Sequence, residues 1–430
     1  MKRVTLIALF LCTFKVYGQQ NIKIVEKYNY EFYQFDSIAD FRRVQFDSTA
    51  NFSIAKFYSK AIFLYSNFNS TAEFSGVNFN STADFLDLQF HSEAYFFNAK
   101  FGSTADFSGT QFKSKVDFFE TRFSSIVYFL DTKFNSQAIF FNTKFDSTAH
   151  FHGVQFDSLA YFRDARFNHL TIFSGVHFKD KADFTSVILP DFLDFREIKS
   201  AEIVDLTKTK LDSAKAANGQ KCYIDLRDSP IEKFRLTYDN FRVWKPDTIP
   251  DRLNFQKLTE VYEKLLKNFK DNGYTSSYET LDKEYQAFKD LQNPDASISK
   301  RLFNRVNYYW SNYGYNKEWI WFWTTLFLAV FTLFNWLFFP YLIKKVYAID
   351  RIKEACPKKL LKSKKQLNFR RIDLAFLYTA FIFFGFKMSP EQINFKNTRS
   401  VTFILFQYII GLICVGYLIN FIISSGLIGG

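Results

Sequence analysis

Between residues 35 and 184 the apolar positions recur with a period of 11, and the residue at them is phenylalanine. One row holds Phe41, Phe52, Phe63, Phe74, Phe85, Phe96, Phe107, Phe118, Phe129, Phe140, Phe151, Phe162, Phe173 and Phe184. The other holds Phe35, Phe46, Phe57, Phe68, Phe79, Phe90, Phe101, Phe112, Phe123, Phe134, Phe145, Phe156, Phe167 and Phe178. Neither row has a gap, and the spacing between rows alternates 5 and 6. A fixed period of this kind is the mark of a solenoid. Two residues before each first-row Phe lies a small or β-branched residue, such as Ala72, Ala105 or Ala138, and the second row mostly repeats this with Val77, Thr110 and Thr143. Residues two apart on an extended segment share a face. The small residue and the Phe therefore point inward together. The polar or Tyr/Ile residue between them and the Ser, Phe, Leu or Arg that follows point out. A coil of 22 residues encloses four Phe and four small residues, so 28 rings make seven layers; at about 4.8 Å per layer the rod is roughly 34 Å long. The ladders, with Phe74, Phe79, Phe107, Phe112, Phe140 and Phe145 as representatives, are expected to supply most of the stability, at about 1.5–3 kcal/mol per buried ring.

Local units read Ala-Asp-Phe-Ser-Gly at 105–109, Ala-Glu-Phe-Ser-Gly at 72–76 and Ala-Asn-Phe-Ser-Ile at 50–54. This resembles the pentapeptide-repeat family, whose unit is a small residue, Asp or Asn, a central Leu or Phe, a small polar residue and often Gly. The resemblance implies an all-β, right-handed quadrilateral β-helix. Here every second unit carries one extra residue, which predicts wider corners just after Ser48, Ser70, Ser81, Ser103 or Ser147.

Outside the ladders the pattern changes. Residues 1–19 read as a signal peptide, with Lys2 and Arg3 ahead of the apolar run Val4–Phe14. The β-helix, with a cap over 22–34 and degenerate last coils, is assigned to 20–244, and Ala214–Gly219 reads as a loop within it. Over 245–317 the period becomes helical. Leu258, Val261, Leu265, Leu266 and Phe269 form one stripe, and Tyr278, Leu281, Tyr285 and Phe288 another. They predict a helical hairpin turning at Gly273, with Ser297–Ser311 as a third helix. Residues 318–343 contain an apolar run of 25, Trp319–Ile343, with Trp319, Trp321 and Trp323 at one end and Asn335 as its one amide. That is long enough to span a bilayer. A basic loop follows at 344–371, then a short apolar segment at 372–388 that re-enters or spans, then a second transmembrane helix at 400–424.

The net charge is +12, and the 344–371 loop, with 11 Lys/Arg against two acids, carries +9 of it. Its place after a membrane span assigns the basic charge to a cytoplasmic loop and leaves no reason to expect nucleic acid. The signal peptide and this rule agree: the repeats lie in the periplasm and the helices in the cell inner membrane. Cys12, Cys222, Cys356 and Cys414 are too scattered for a disulfide framework or a metal motif.

The order helix, short apolar segment, helix resembles the two-helix pore-loop ion channels. The matching stretch is Leu377–Phe386, with Thr379, Phe384, Gly385 and Phe386 as the candidate pore segment, and Gln407-Tyr408-Ile409-Ile410-Gly411-Leu412 is similar to the start of a channel inner helix. The predicted hairpin, at Val261–Leu266, Asn272-Gly273-Tyr274 and Glu284-Tyr285, is similar to the connector of bacterial proteins that join pentapeptide repeats to a channel module. The chain departs from channels in lacking a Thr-Val-Gly-Tyr-Gly filter, in Lys387 beside the segment, and in its inverted orientation. No catalytic constellation and no cofactor motif is present. His150 and His152 flank Phe151 and offer at most a two-ligand clip; solvated surface histidines are the commoner case, so no metal is expected. The expected function is a non-enzymatic, membrane-anchored scaffold that exposes its β-helix outside the cytoplasm. The alternative is an ion-channel-like protein with the β-helix as sensor or cap. The expected partners are the lipid membrane, an envelope protein and a second copy through the transmembrane helices, where Gly411 and Gly416 permit close packing.

Overall fold

The computed structural model describes residues 23–24, 28–248, 251–316, 318–339, 341–342, 346, 372–385 and 398–424. The signal peptide, nearly all of the basic loop, Phe386 and Lys387 lie outside the described residues. The chain divides into two compact units, meeting at Asp295 and Ala296.

The first unit is a β-solenoid of four parallel sheets with 9, 7, 10 and 9 strands, about ten turns. Strands pair 22 residues apart, as in Ala83 with Ala105 and Phe79 with Phe101. This is the coil length that enclosing four rings requires. The ladder residues Phe74, Phe79, Phe107, Phe112, Phe140 and Phe145 are each no more than 1% exposed. Rings one coil apart stack: Phe74 on Phe96 at 4.9 Å, Phe79 on Phe101 at 4.9 Å, Phe140 on Phe162 at 4.7 Å. The two first-row ladders meet edge to face across the interior, as in Phe107 and Phe118 at 5.6 Å and 86°. Edge-to-face contact sets the positive ring edge against the negative ring face.

Threonines on the inner side of the second row bury their hydroxyls without orphaning them. Thr110, Thr121, Thr132 and Thr143 each donate to the carbonyl of a Phe 25 residues earlier. Each bond offsets the cost of burying a hydroxyl.

The alternating 5 and 6 spacing corresponds to two kinds of corner. Five-residue corners are closed by a backbone bond from residue i+3 to the Phe carbonyl, as in Ala55 to Phe52 at 3.0 Å and Val77 to Phe74 at 3.2 Å. Their third residue has a positive φ, repeating every 11 positions through Phe32, Arg43, Ile54, Tyr65, Gly76, Asp87 and Asn98 and on to Lys208. A β-turn with φ > 0 only at its third residue has the type II pattern. The extra residue of the six-residue step falls at the other corners, 47–49 in the first full coil, next to Ser48 as expected.

The solenoid ends are covered. Tyr30 stacks on Phe52 at 4.9 Å and is buried. Near the other end, helix α1 (Ser213–Ala217) stands where a loop was expected. The Asp212 carboxylate caps it by accepting from the Ala214 N–H at 3.0 Å, and the Ala-rich run favours a helix. Helices α2 (Arg252–Asp271) and α3 (Thr275–Leu291) follow. They bury Leu258, Val261, Tyr262, Leu265, Phe269, Leu281 and Phe288 in the same core as the solenoid. Asn268 on α2 donates to the carbonyls of Ile231 and Phe234, at 3.1 and 3.2 Å. Solenoid ends need such covers, and α2 supplies this one.

The second unit holds α4 (Ile298–Ser311), α5 (Trp319–Leu337), α6 (Ile372–Phe383) and α7 (Thr398–Ser424). Two of them, α5 and α7, are long and apolar enough to cross a membrane. The 12 residues of α6 reach about 18 Å, short of the roughly 30 Å hydrocarbon core. Gly411 on α7 lies against the last turn of α6, whereas Gly416 has nothing within 4 Å of where a Cβ would stand.

Candidate functional site

The residues before and after each inward Phe form the outer surface. Their charges are sorted by row. Before first-row rings stand Asp40, Glu73, Asp84, Asp106, Asp117 and Asp183, with no Lys or Arg through Phe184. Before second-row rings stand Lys56, Lys100, Arg122, Lys133, Lys144 and Arg166, with no acid. The two rows build alternate sheets. Lys56, Lys100, Arg122, Lys144 and Arg166 share one second-row sheet, whereas the other presents mostly amides, Gln45, Asn67, Gln89, Gln111 and Gln155, with Lys133; one basic face thus lies between the two faces that carry the acids.

One face departs from this polar surface. On consecutive strands of one sheet, Tyr95, Asp117, Ile139 and Tyr161 lie in register. Beside them, Phe97, Phe119 and Phe141 point outward and stack at 5.3 and 5.4 Å, each pair within 4° of parallel. Phe97 is 43% exposed. Rings stacked along the rod turn their faces to each other and their edges to solvent. Together with Tyr95, Ile139 and Tyr161 they form a largely apolar strip, interrupted by Asp117, which pairs with Lys115. At one end a groove of about 520 Å³ is lined by Gln137, Ile139, Phe141, Tyr161, Arg163 and Asp183, with Arg163 and Asp183 paired at 3.6 Å. At the other end the Tyr95 hydroxyl donates to Glu93. That bond, with burial, pushes the Tyr95 pKa up to about 12. Burial raises Glu73 as well, and its neighbour Glu93 adds to the shift.

His150 stacks on Tyr128 at 4.9 Å, and burial lowers its pKa. The His152 ring pairs with the Ser174 hydroxyl at 2.9 Å. Each imidazole thus has its own neighbour. Among the described residues no group of three or more His, Cys, Asp or Glu gathers as metal ligands would.

The candidate pore residues fall in the second unit. Thr379, on α6, is fully buried and does not stand alone. Its hydroxyl donates to the Ala375 carbonyl at 2.8 Å and accepts from the Asn335 amide of α5 at 2.9 Å. The same Asn335 amide donates to Gln407 of α7 at 3.0 Å, and Gln407 donates to the Thr379 carbonyl at 3.2 Å. Three apolar helices are therefore joined by one buried polar triad. The Asn335 side-chain oxygen has no partner among the described residues. Phe384 packs beside Phe383 at 5.3 Å, and Gly385, with φ +69°, faces the Tyr408 ring. The triad thus includes Thr379 but neither Phe384 nor Gly385.

Residues 140–188 match the family model described as Pentapeptide repeats (9 copies). No curated protein and no solved structure matches the chain. The chain holds a β-solenoid, within which residues 140–188 match pentapeptide repeats, followed by helices, two of them long and apolar enough to cross a membrane.

Proposed function

We propose that this chain is a non-enzymatic, membrane-anchored interaction scaffold that holds its solenoid outside the cytoplasm, in the periplasm, with α5 and α7 in the inner membrane. The solenoid is read as a right-handed, four-sided β-helix, and α2 and α3 as a hairpin, with Phe255 on Phe288 at 5.0 Å and Tyr262 on Tyr285 at 5.2 Å supporting that pairing. The observation that carries the reading is the outward strip of Phe97, Phe119 and Phe141, a level apolar surface on a core of stacked rings. Aromatic side chains at the centre of a patch with a polar rim are what protein partners bury. The partner is an envelope protein. A photo-reactive amino acid replacing Phe119 tests this in living cells, with Lys100 on a basic face as the control. Cross-linking of one discrete protein from position 119 alone supports the reading; equal cross-linking from both positions, or none, defeats it.

A second reading, an ion-channel-like protein with the solenoid as sensor or cap, draws on α6, whose 12 residues are too few to span and sit bonded between two longer helices. Reconstituted protein would conduct ions, and Gly385→Trp would abolish the current. A silent bilayer at full reconstitution ends that reading and leaves the scaffold.

A further inference from the structure

We infer that α4 is an interfacial helix that lies in the headgroup region of an anionic lipid bilayer. The inference rests on the membrane reading of α5 and α7.

The helix is amphipathic in an unusual direction: its apolar stripe faces solvent. Ile298, Leu302, Val306 and Tyr309 are 86%, 64%, 54% and 58% exposed. Spacings of four, four and three place them on one side of the helix. Only its last turn is engaged, where Trp310 stacks on Trp323 of α5 at 5.9 Å and 2° and Ser311 is buried. Folding has therefore covered part of α4 and left its aliphatic stripe bare. In water that arrangement loses the free energy of burying about four large side chains, on the order of 1.5–3 kcal/mol each.

The charges of α4 identify what covers the stripe. Lys300, Arg301 and Arg305 are its ionisable side chains besides tyrosine, and it has no acid. Arg301 and Arg305 lie along one edge of the stripe and Lys300 on the far side, and a basic helix with an apolar stripe fits an anionic lipid surface, where alkyl groups enter the acyl boundary and cations stay with the phosphates. The chain path sets the depth. Seven residues, Asn312 to Glu318, separate α4 from α5, and Trp310 meets α5 at Trp323, in its first two turns. Trp319 and Trp321 stand at that same end and are exposed, as tryptophans of an interfacial belt are. The stripe therefore lies level with the place where α5 enters the bilayer.

The test uses the full chain in nanodiscs of mixed phosphatidylglycerol and phosphatidylcholine. Cys12 and Cys356 are replaced by Ser, and the buried Cys222 and Cys414 are kept. Single cysteines at Leu302, at Leu333 on α5 and at the exposed Lys264 on α2 carry nitroxides. Access to lipid-dissolved oxygen and to a water-soluble nickel chelate is read at each. The expected result is a Leu302 label with several-fold less chelate access than Lys264, and shallower than Leu333. Lys300→Glu with Arg305→Glu should return chelate access at 302 and leave 333 unchanged. A Leu302 label as open to chelate as Lys264, with Leu333 shielded, overturns this inference and keeps the spans. Chelate access at Leu333 itself overturns the membrane reading and this inference with it.

Discussion

Gly411 on α7 lies so close to the end of α6 that a Cβ would stand 1.7 Å from the carbonyl oxygen of Phe383 and 2.5 Å from its carbonyl carbon. Both atoms are backbone and cannot rotate away. Gly411→Ala is therefore expected to push the two helices apart and lower the unfolding temperature of the helical unit, with a cost of at least about 1–3 kcal/mol. Gly416→Ala, with no atom within 4 Å of its new Cβ, should be close to neutral. Thermal melts of the two variants in one detergent check this. Equal melts would mean that α6 and α7 do not pack as described.

The triad of Asn335, Thr379 and Gln407 makes a second prediction about the same helices. Interhelical bonds between polar side chains in an apolar medium contribute about 0.6–2 kcal/mol. Asn335→Leu strips Gln407 and Thr379 of one donor, and Gln407→Leu strips Asn335 of one acceptor. The two changes together should cost less than their sum, because Asn335 and Gln407 are removed together and neither is left facing a lost partner. A double-mutant cycle on resistance to denaturing detergent should give a coupling of about 1 kcal/mol. Strict additivity would show that the residues do not meet.

At the solenoid's far end, Glu284 of α3 accepts from Tyr238 at 3.0 Å and from Tyr262 at 2.8 Å, and faces Arg242 at 3.6 Å. Burial holds both tyrosines above their ordinary range, and the Glu284 charge adds to the effect. An acid whose folded pKa is raised keeps its full contribution below its unfolded value and loses it as pH rises toward the folded one. The cap should therefore weaken above about pH 10, the ordinary tyrosine value. Protease sensitivity at the α2 and α3 segment should stay flat up to about pH 10 and rise from there to about pH 12, and Tyr238→Phe should flatten the rise. A pH-independent cap would contradict the network. Glu284→Leu should loosen the same segment at neutral pH, because it leaves two buried hydroxyls without their acceptor.

The corner residue Ile54 has φ +59°, a left-handed conformation that is costly for a β-branched side chain. The next corner on that edge is Gly76, at φ +64°. Ile54→Gly is expected to stabilise the solenoid by up to about 1 kcal/mol, and Gly109→Ala, at φ +66°, to destabilise it by a similar amount. Denaturant midpoints of the two variants should move in opposite directions.

These positions mark where the sequence was informative and where it was not. The 11-residue rows dictated the 22-residue coil and every inward ring, because only one register puts Phe74 and Phe96 on the same side of neighbouring strands. The left-handed corners fall on residues that favour them at Gly76, Gly109, Gly153 and Gly175 and at Asp87, Asn98, Asp131, Asn142 and Asp164; at Arg43, Ile54 and Tyr65 the coil forces a conformation that the side chain does not favour. The helix stripes of α2 were plain, but amphipathicity says only that a face is buried, and the Asn268 bonds to Ile231 and Phe234 reveal what buries it. Asn335 stood out as an amide in an apolar run, whereas Gln407 was noted only within a stretch similar to a channel inner helix. Their meeting at Thr379 needed three helices in place, across 72 positions of chain from the first to the last.

The central claim is that an anchored solenoid stands outside the cytoplasm, and the side of the membrane it occupies tests that most directly. A cysteine in place of Lys100, exposed on a basic face, is introduced with Cys12 and Cys356 changed to Ser. Cells with a permeable outer envelope and an intact inner membrane are treated with an impermeant thiol reagent. Burial raises the Cys222 thiol far above its ordinary range, so it stays silent. Labelling of position 100 before lysis, in a protein that sediments with membranes, is the predicted result. Labelling only after lysis would place the solenoid in the cytoplasm and contradict the account.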